Sequence, residues 1–524
     1  MIIDTRSFDG APPSYDVVIV GSGPAGLTLA LELSKQDLRI CVLESGGMDL
    51  DPDTQALYEA PVEGMDHFDP TSTRLRMFGG TSNHWGGRCM PLQDIDFDRK
   101  PLSGESGWPF TRKDLDPHYA RAHDYLDLGD FDYDVKADPS YTDSRVFFAD
   151  DAAIETRVVR NSTPTRFADK YLDVLQTSDA IDVWLWANVA SVELDALGQA
   201  NALSVRTLTG RTHTFTGNLI VLAMGAMETA RLWLDINASG GTTFGGDYVG
   251  RCYMDHPLSP AGTLWFQDHQ APNMNTEGGL SPTDQPLEYA LNLSETLKEK
   301  RKLANAHFYL YGMRAGSNDP TLRRSNTAKI AIKDIAKWAD GTNRKTLSEA
   351  YCEALLNLDA LVLDVAGRLP DDSLMSHAEV LVEAEQTPDP KSRVELISGR
   401  DALGQQNAKL VWSPTEADRE SVRQSVIELG RAVGASGLGR LEMAPTLSDR
   451  YWGADTAYHQ MGTMRMAETE GNGAVDPNGR IFGTQNVYVA GGAVMPQSGS
   501  SNPTLTIVAL TIRLADHLKR VLSP

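Results

Sequence analysis

Cysteine is scarce in this chain. The four cysteines among 524 residues are Cys41, Cys89, Cys252 and Cys352. Their spacing fits neither a metal site nor a redox motif, and so few scattered thiols cannot form a disulfide framework. We therefore expect a fold held by packing, without a structural metal, in a reduced intracellular setting.

Long apolar runs are missing as well. No stretch of about 18 uninterrupted apolar residues occurs, which excludes a helix of the length that spans a membrane. The first residues, "MIIDTRSFDGAPPSYDVVIVGSG", lack the basic leader, apolar stretch and cleavage site of a secretory signal. These absences predict a cytoplasmic protein without a membrane partner.

The chain has fewer basic than acidic residues. The chain has 48 Lys and Arg against 71 Asp and Glu, which gives a formal charge of −23. Nucleic acids and anionic membranes bind basic surfaces, so neither is an expected partner. A cationic small molecule would be attracted, but the net charge does not tell where the acidic residues cluster.

A nucleotide-binding pattern stands near the N-terminus. The stretch "YDVVIVGSGPAGLTLALELSKQDLRICVLESG" predicts a buried strand, a glycine turn, a helix, and a second strand ending at Glu44. Gly21 would allow the tight turn, Gly23 the close approach of a pyrophosphate, and Gly26 the packing of helix on strand. Glu44 has the spacing of the carboxylate that accepts ribose hydroxyls. These residues alone leave the dinucleotide as NAD or FAD.

Other segments predict two kinds of sheet. Strand-like stretches in "LWANVASVEL", "NLIVLAMGAMETARLWL" and "NVYVAGG" are expected to join the same parallel sheet. From Thr263 to Leu447 the segments "HAEVLVEAE", "SRVELIS" and "AKLVW" alternate as antiparallel strands do. In the first of these, one face would carry Ala378, Val380, Val382 and Ala384, and the other Glu379, Glu383 and Glu385. One side of that sheet should be wet or line a cavity.

A glycine-rich segment, "FGGTSNHWGGRC", runs from Phe78 to Cys89. So many glycines let the backbone approach a flat ligand closely. His84 in its middle could contact that ligand, bond to it covalently, or fill a polar gap, and spacing alone favours the polar gap.

Two polar residues near the C-terminus are predicted to meet. In "SSNPT", Pro503 places Asn502 just outside the final helix, whose first N–H groups near Thr504 lack internal partners. His459 lies in "AYHQMGTMRM", ahead of the strand "NVYVAGG" that leads to this helix. Taken singly, His459 would be a structural histidine and Asn502 an N-cap. Together, both could face a reacting alcohol beside one helix N-terminus.

These motifs resemble the glucose-methanol-choline (GMC) oxidoreductases, a family of FAD enzymes. The resemblance extends to "SGWPFTRKDLDPHYARA", "VGRCYMDHP", "EQTPDPKSRVEL" and nearly all of Tyr458 to Lys519. It implies an α/β fold of p-hydroxybenzoate-hydroxylase-like architecture, with a Rossmann-like FAD-binding domain and a substrate domain built on an antiparallel sheet plus helices. The His-and-Asn pair, with "GGTSNHW", is most similar to the pyranose- and glycoside-oxidising branch.

The resemblance also implies domain bounds. Residues 1–262 and 448–524 would form a discontinuous FAD-binding domain, with part of residues 100–180 on the substrate side. Residues 263–447 would form the substrate domain.

The same resemblance implies where FAD and the alcohol bind. The expected cofactor residues are Gly21, Gly23, Ala25, Gly26, Glu44, Ser45, Gly80, Thr81, His84, Trp85, Val189, Gly492, Pro503 and Thr504. His459 matches the family's active-site histidine in its H-x-x-G-T pattern, and Asn502 its His-or-Asn partner. His459 would take the hydroxyl proton and Asn502 would position the oxygen. A covalent link from His84 to FAD is left open and not favoured.

The leading hypothesis is a dehydrogenase or oxidase that acts on a secondary hydroxyl of a sugar or glycoside. Oxygen or another electron acceptor would reoxidise the flavin. One alternative is oxidation of a primary alcohol on a polyol, an amino-sugar or an aryl compound. Others are a flavin-binding protein without turnover and an NAD-linked dehydrogenase. A homo-oligomer is left open.

Overall fold

The computed structural model describes residues 1–523 apart from 66, 99, 278, 281–285, 315–319, 339–346, 366–373 and 448–454. Its strands are β1 (Ile2–Asp4), β2 (Tyr15–Val20), β3 (Ile40–Leu43), β4 (Val62–Gly64), β5 (Arg88–Cys89), β6 (Ile154–Asn161), β7 (Ile181–Leu185), β8 (Asn188–Leu194), β9 (Ala200–Arg206), β10 (Thr212–Phe215), β11 (Gly217–Leu222), β12 (Pro257–Gln270), β13 (Gly279–Leu280), β14 (Pro286–Leu293), β15 (Ala306–Arg314), β16 (Met375–Ala384), β17 (Arg393–Arg400), β18 (Gln406–Trp412), β19 (Gly439–Met443), β20 (Asp455–Thr456) and β21 (Val487–Val489).

The α-helices vary from one turn to five. They are α1 (Pro24–Leu33), α2 (Pro52–Gln55), α3 (Asp94–Asp98), α4 (Arg112–Leu126), α5 (Phe167–Thr177), α6 (Gly225–Gly240), α7 (Met274–Glu277), α8 (Glu295–Arg301), α9 (Pro320–Trp338), α10 (Leu347–Leu356), α11 (Leu358–Val365), α12 (Glu416–Ala435) and α13 (Thr504–Leu522). Within the described ranges, none of these helices combines the length and the apolar character needed to cross a membrane.

A parallel sheet has the strand order β1-β7-β3-β2-β11-β21, and each of these neighbouring pairs is parallel. The run from Val17 to Val20 is buried throughout, as expected where helices cover both faces of a sheet. Helix α1 starts directly after the glycine turn, with Pro24 in its first turn, and packs against α13. The predicted strand–turn–helix–strand unit is confirmed.

The prediction for "LWANVASVEL" is partly wrong, because that stretch belongs to two sheets. Leu185 ends β7 in the parallel sheet, and Trp186 then adopts a left-handed φ of 62°. This turn breaks the extended chain, since a non-glycine residue at positive φ cannot continue a strand. The next strand, β8, pairs antiparallel with β9 in a small sheet that also holds β10.

An antiparallel sheet has the order β19-β12-β16-β15-β14-β6-β5, with β13 paired to β14 and β20 to β12. The small apolar side chains of β16 pack in one core with Val422, Val426 and Leu429 of α12. On the opposite face of β16, Glu379 is exposed whereas Glu383 is buried. The predicted division between an apolar and a glutamate face is confirmed.

Two segments predicted for that sheet lie elsewhere. Strands β17 and β18 pair antiparallel with each other, and β18 pairs parallel with β4. They form a separate three-stranded sheet, because the partner of β18 comes from the loop region after β3 rather than from β16.

The predicted domain bounds stay a prediction. The pairing of two N-terminal strands is relevant to them. Strands β5 and β6 come from the N-terminal part of the chain but lie in the antiparallel sheet. The predicted boundary at residue 448 lies outside the described residues.

Candidate cofactor and active site

A cavity of about 540 Å³ is lined by residues that follow the parallel strands and by residues of the antiparallel sheet. Leu43 and Glu44 come from the end of β3, and Leu258 and Glu383 come from β12 and β16. All of the predicted cofactor and catalytic residues line it except Gly26: Gly21, Gly23, Ala25, Glu44, Ser45, Gly80, Thr81, His84, Trp85, Val189, His459, Gly492, Asn502, Pro503 and Thr504.

The glycine turn fits a ligand that approaches the backbone. A Cβ on Gly26 would lie 1.8 Å from the Gly21 carbonyl oxygen, so Gly26 serves the packing of α1 on the turn. A Cβ on Gly23 would meet no atom of the described residues within 4 Å, although Gly23 lines the cavity. The turn therefore leaves open space at Gly23, where the fingerprint places a pyrophosphate.

Glu44 is buried at the end of β3, and its carboxylate is held in place. One oxygen accepts hydrogen bonds from the Ser22 N–H (3.1 Å) and hydroxyl (2.5 Å). The other accepts from the Gly46 N–H (2.8 Å) and the Ser45 hydroxyl (3.2 Å). A carboxylate has about four acceptor sites, and two donors already bind each Glu44 oxygen. A bound ribose would therefore replace the serine hydroxyls or bind in addition to them.

The glycine-rich loop lies against the turn. The Gly79 N–H donates to the Ser22 hydroxyl at 3.2 Å, and a Cβ on Gly80 would lie 2.9 Å from the Gly23 Cα. The Trp85 indole donates to the Thr165 carbonyl at 2.8 Å. These contacts bring the backbone of the loop to the cavity wall.

His84 reaches the same wall, and its side chain is exposed there. Burial and the nearby Arg166 guanidinium lower its pKa, and a hydrogen bond with the Thr73 backbone opposes them only in part. A neutral imidazole is therefore favoured here. A neutral ring suits both a polar contact and a nucleophile, so the choice between them stays a prediction.

A buried charge cluster beside the cavity was missed by the sequence reasoning. Glu228 accepts from Arg74 Nη1 at 2.8 Å and from Arg76 Nη2 at 2.9 Å, and both guanidinium groups lie over the Tyr58 ring. Burial acts to raise the pKa of Glu228, but attraction to Arg76 and Arg74 outweighs it and lowers the pKa to about 2. The signal was present in "LRMFGG" and "AMETAR", where charged residues interrupt buried segments.

His459 and Asn502 meet in the cavity, although 43 positions separate them. Asn502 Nδ2 lies 3.3 Å from His459 Nε2. The Asn502 side chain does not cap α13, since the residue at the N-cap is Pro503 and no side chain bonds there. The amide is instead turned to the histidine, and the first residues at this helix start, Pro503 and Thr504, line the cavity.

Three further residues contact His459, and the sequence reasoning gave them no catalytic role. Glu383 Oε1 lies 3.1 Å from His459 Nδ1 and 3.1 Å from His256 Nδ1. The two Nδ1 atoms are 3.0 Å apart, and the backbone N–H of His459 donates to Asp255 Oδ1 at 2.8 Å. The possible signals were "MDHP" and the glutamate face of β16.

Burial and hydrogen bonding shift the pKa values of Glu383 and His256 in opposite directions. Burial raises the pKa of Glu383, but hydrogen bonds from His256 and His459 outweigh it and hold the pKa well below its usual range. Burial lowers the pKa of His256, but the hydrogen bond and charge of Glu383 raise it above its usual value. A carboxylate and an imidazolium are thus mutually favoured.

Family comparisons agree with this geometry. Residues 388–511 match the family model described as GMC oxidoreductase, and residues 16–49 match that of an FAD binding domain. The chain is 22% identical to 2-methyl-1,2-propanediol dehydrogenase of Mycolicibacterium austroafricanum, over 96% of this chain and 95% of that one. It is 31% identical to C-glycoside 3-oxidase of Arthrobacter globiformis, over 24% of this chain and 23% of the relative.

The fold also recurs in a solved structure. Pyridoxine 4-oxidase from Mesorbium loti superposes with a TM-score of 0.55, over 96% of this chain and 99% of that one. The two sequences are 17% identical, so this likeness concerns the fold alone.

Proposed function

We propose, from the premise that this chain belongs to the FAD-dependent GMC oxidoreductases, that it oxidises a secondary hydroxyl of a sugar or glycoside with His459 as the base. Family membership makes it an oxidoreductase that acts on CH–OH groups and uses FAD. The observation that carries the rest is the meeting of the His459 imidazole and the Asn502 amide, 3.3 Å apart, in the cavity that begins at the glycine turn.

His459 suits proton removal because a neutral imidazole has one ring nitrogen that can accept a proton. Its Nε2 faces Asn502 and its Nδ1 faces Glu383, so Nε2 is the nitrogen available to a hydroxyl. Taking the hydroxyl proton there lowers the barrier to hydride loss from the carbon. FAD, when bound, supplies the acceptor for that hydride.

Asn502 cannot take a proton, so it acts by position. Its amide can donate to the alcohol oxygen, and its buried Oδ1 has no hydrogen-bond partner among the residues that the structure describes. The N-terminus of α13 behind it carries partial positive charge, near Pro503 and Thr504 on the cavity wall. Charge that develops on a bound group at this point would be stabilised by about 1 to 2 kcal/mol.

Two relatives bear on the substrate class, and they favour different classes. The relative named C-glycoside 3-oxidase is the more identical over its aligned segment, which favours a ring hydroxyl of a glycoside. The relative named 2-methyl-1,2-propanediol dehydrogenase aligns over nearly the whole chain, which favours the rival, a small polyol with a primary alcohol. The cavity wall does not choose between the classes, because it includes apolar side chains such as Leu258 and polar ones such as Gln460.

An anaerobic screen separates these proposals. Purified holoenzyme is mixed without oxygen with sugars, glycosides, diols and simple alcohols, and the loss of flavin colour is followed. Glycosides are expected to bleach the flavin fastest, and bleaching by diols alone would favour the rival. Air is then admitted to test whether oxygen restores the colour.

The same assay tests the base. The variant His459→Ala should keep FAD but reduce the flavin about 10²- to 10⁴-fold more slowly, because the base is lost. His517→Ala is the matched control, since His517 lies on α13 outside the cavity-lining residues. Bleaching of the His459 variant at the rate of the control would refute the assignment.

A further inference from the structure

The residue directly before the proposed base has a strained backbone. Tyr458 has a φ of 62°, in the left-handed region that bulky side chains rarely adopt. Among the described residues that line the cavity, it is the one non-glycine residue with a positive φ. Strain of this kind persists only where neighbouring contacts impose it, and it is concentrated at functional sites.

Two backbone hydrogen bonds impose this conformation on Tyr458. The Ala457 N–H donates to the His256 carbonyl at 3.1 Å, and the backbone N–H of His459 donates to Asp255 Oδ1 at 2.8 Å. The residues on both sides of Tyr458 are therefore fixed to the segment that precedes β12. The turn between them places two consecutive residues, Tyr458 and His459, on the cavity wall.

A large part of the Tyr458 side chain is exposed at that wall. The residue is 48% exposed, whereas Thr456, two positions earlier on the same wall, is 2% exposed. Phe68 is an aromatic neighbour, with ring centroids 4.8 Å apart and an interplanar angle of 65°. In such an edge-to-face contact Phe68 can cover only one face of the Tyr458 ring. Apolar ring surface is therefore available beside the proposed base.

The supporting Phe68 is itself held in place. Its carbonyl oxygen accepts a hydrogen bond from His67 Nδ1 at 2.8 Å. The His67 side chain has no exposed surface, and its ring contacts the buried Trp412 edge-to-face at 5.2 Å. A fixed support restricts the Tyr458 ring, so its exposed surface is presented in a defined orientation.

The residue after His459 adds a polar group to the same wall. Gln460 lines the cavity, and its Nε2 donates to the Thr73 hydroxyl at 3.0 Å, which fixes the amide. A pyranose ring needs both kinds of neighbour. Its C–H groups carry weak positive charge that suits the negative face of an aromatic ring, and its hydroxyls need hydrogen-bond partners. An acyclic diol presents no comparable flat C–H face.

We propose that Tyr458 determines specificity for cyclic substrates: its ring face stacks on the C–H face of the sugar ring that carries the reacting hydroxyl. The inference rests on the proposed function, in which His459 removes the proton of that hydroxyl. Consecutive Cα atoms are about 3.8 Å apart, so a ring held by Tyr458 lies next to a hydroxyl held at His459. Tyr458 takes no part in proton or hydride transfer. Phe68 is a positioning residue, because it acts through Tyr458.

The test compares cyclic and acyclic substrates in steady-state assays with a dye as electron acceptor. Tyr458→Asn removes the ring, and asparagine adopts left-handed angles readily, so this variant should fold and keep FAD. Its KM for methyl and phenyl glucosides should rise about tenfold, as expected for a lost stacking contact, and its kcat should stay within about twofold of wild type. Its KM for 1,2-propanediol should be unchanged. Tyr458→Phe keeps the ring and should behave as wild type.

The role of Phe68 is tested by coupling. Phe68→Ala should raise the KM for glucosides about threefold, because the Tyr458 ring loses its edge-to-face support. In the Tyr458→Asn background the same change should add nothing, since its effect passes through the ring. Tyr351→Ala is the matched control and should behave as wild type, because Tyr351 is 50% exposed on α10 and outside the cavity-lining residues.

Several results would overturn the assignment of Tyr458. The KM for glucosides could stay unchanged in Tyr458→Asn, or the KM could rise equally for glucosides and diols. A fall in kcat alone would assign Tyr458 to the support of His459, and a rise in KM for phenyl glucosides alone would assign the ring to an aglycone. Tyr458→Phe behaving like Tyr458→Asn would show that the hydroxyl acts rather than the ring face.

The two proposals fail separately. If His459→Ala bleaches at the rate of its control, the proposed function is wrong whatever Tyr458 does. If His459 is required and glucosides are oxidised, but Tyr458→Asn has the wild-type KM, the specificity assignment alone is refuted. Wild-type enzyme that oxidises diols but no glycoside would overturn both.

Discussion

The glycine turn offers a prediction in which two neighbouring glycines respond differently to the same added methyl group. In Gly26→Ala the new Cβ would lie 1.8 Å from the Gly21 carbonyl oxygen, whereas ordinary contact begins at 3.4 Å. Helix α1 must therefore move by about 1.6 Å, and because both partners are backbone, no side-chain rotation relieves the clash. We expect a loss of about 3 kcal/mol in the free energy of unfolding, the upper end for overpacking.

Gly23→Ala is the matched comparison. Gly23 has φ of −69°, which alanine adopts without strain, and its Cβ meets no protein atom within 4 Å. The FAD-free variant should be as stable as wild type or more stable by about 0.4 to 1 kcal/mol, because alanine restricts the unfolded chain. The methyl group would occupy space that the cofactor needs, so FAD should bind about tenfold more weakly, which is about 1.4 kcal/mol.

Urea unfolding of both FAD-free variants, followed by tryptophan fluorescence, and titration with FAD measure the two effects. Gly26→Ala should unfold at lower urea than wild type, and Gly23→Ala should not. The reasoning is refuted if Gly26→Ala is as stable as wild type, or if Gly23→Ala binds FAD as tightly as wild type.

Three more predictions concern other parts of the site. Glu228→Gln should lose about 3 kcal/mol at neutral pH, since the pKa of Glu228 falls from 4.5 to about 2 on folding. This advantage is present above pH 4.5 and disappears as the pH falls toward 2, so denaturation curves that stay apart in acid would contradict it. Acid precipitation of the holoenzyme should release all FAD, and yellow colour in the pellet would contradict this by showing a covalent link, for which His84 is the candidate residue. Asn502→Ala should keep FAD and slow flavin reduction about 10- to 100-fold, as expected for a lost hydrogen bond to a charged oxygen, and an unchanged rate would remove its role.

Local patterns predicted the parallel half of the fold well. The strand–turn–helix–strand unit depends on apolar runs and glycine spacing within thirty residues, and Tyr15 to Leu43 folds as those signals indicate. The errors arose where a strand's partner is distant. Nothing near β8 or β18 tells which strand pairs with it, because pairing depends on long-range contacts rather than on alternation.

The motifs indicated part of the candidate active site. The rest follows only from how distant segments of the chain pack together. His459 and Asn502 stand in recognisable surroundings, and the fold brings them within 3.3 Å. Glu383 looked like any residue on the wet face of an alternating strand, and its neighbour Glu379 is in fact exposed. Only the placement of β16 opposite the loop with His256 shows that Glu383 is buried between two histidines.

The central claim is that an imidazole and an amide meet at the reactive edge of the flavin. A crystal structure of the holoenzyme tests it most directly. The account predicts the isoalloxazine ring with N5 facing His459 Nε2 and Asn502, and the adenine end beside Glu44 and Val189. The account would be contradicted if the ring bound away from His459 and Asn502. It would also be contradicted if protein atoms lay between the ring and these two side chains.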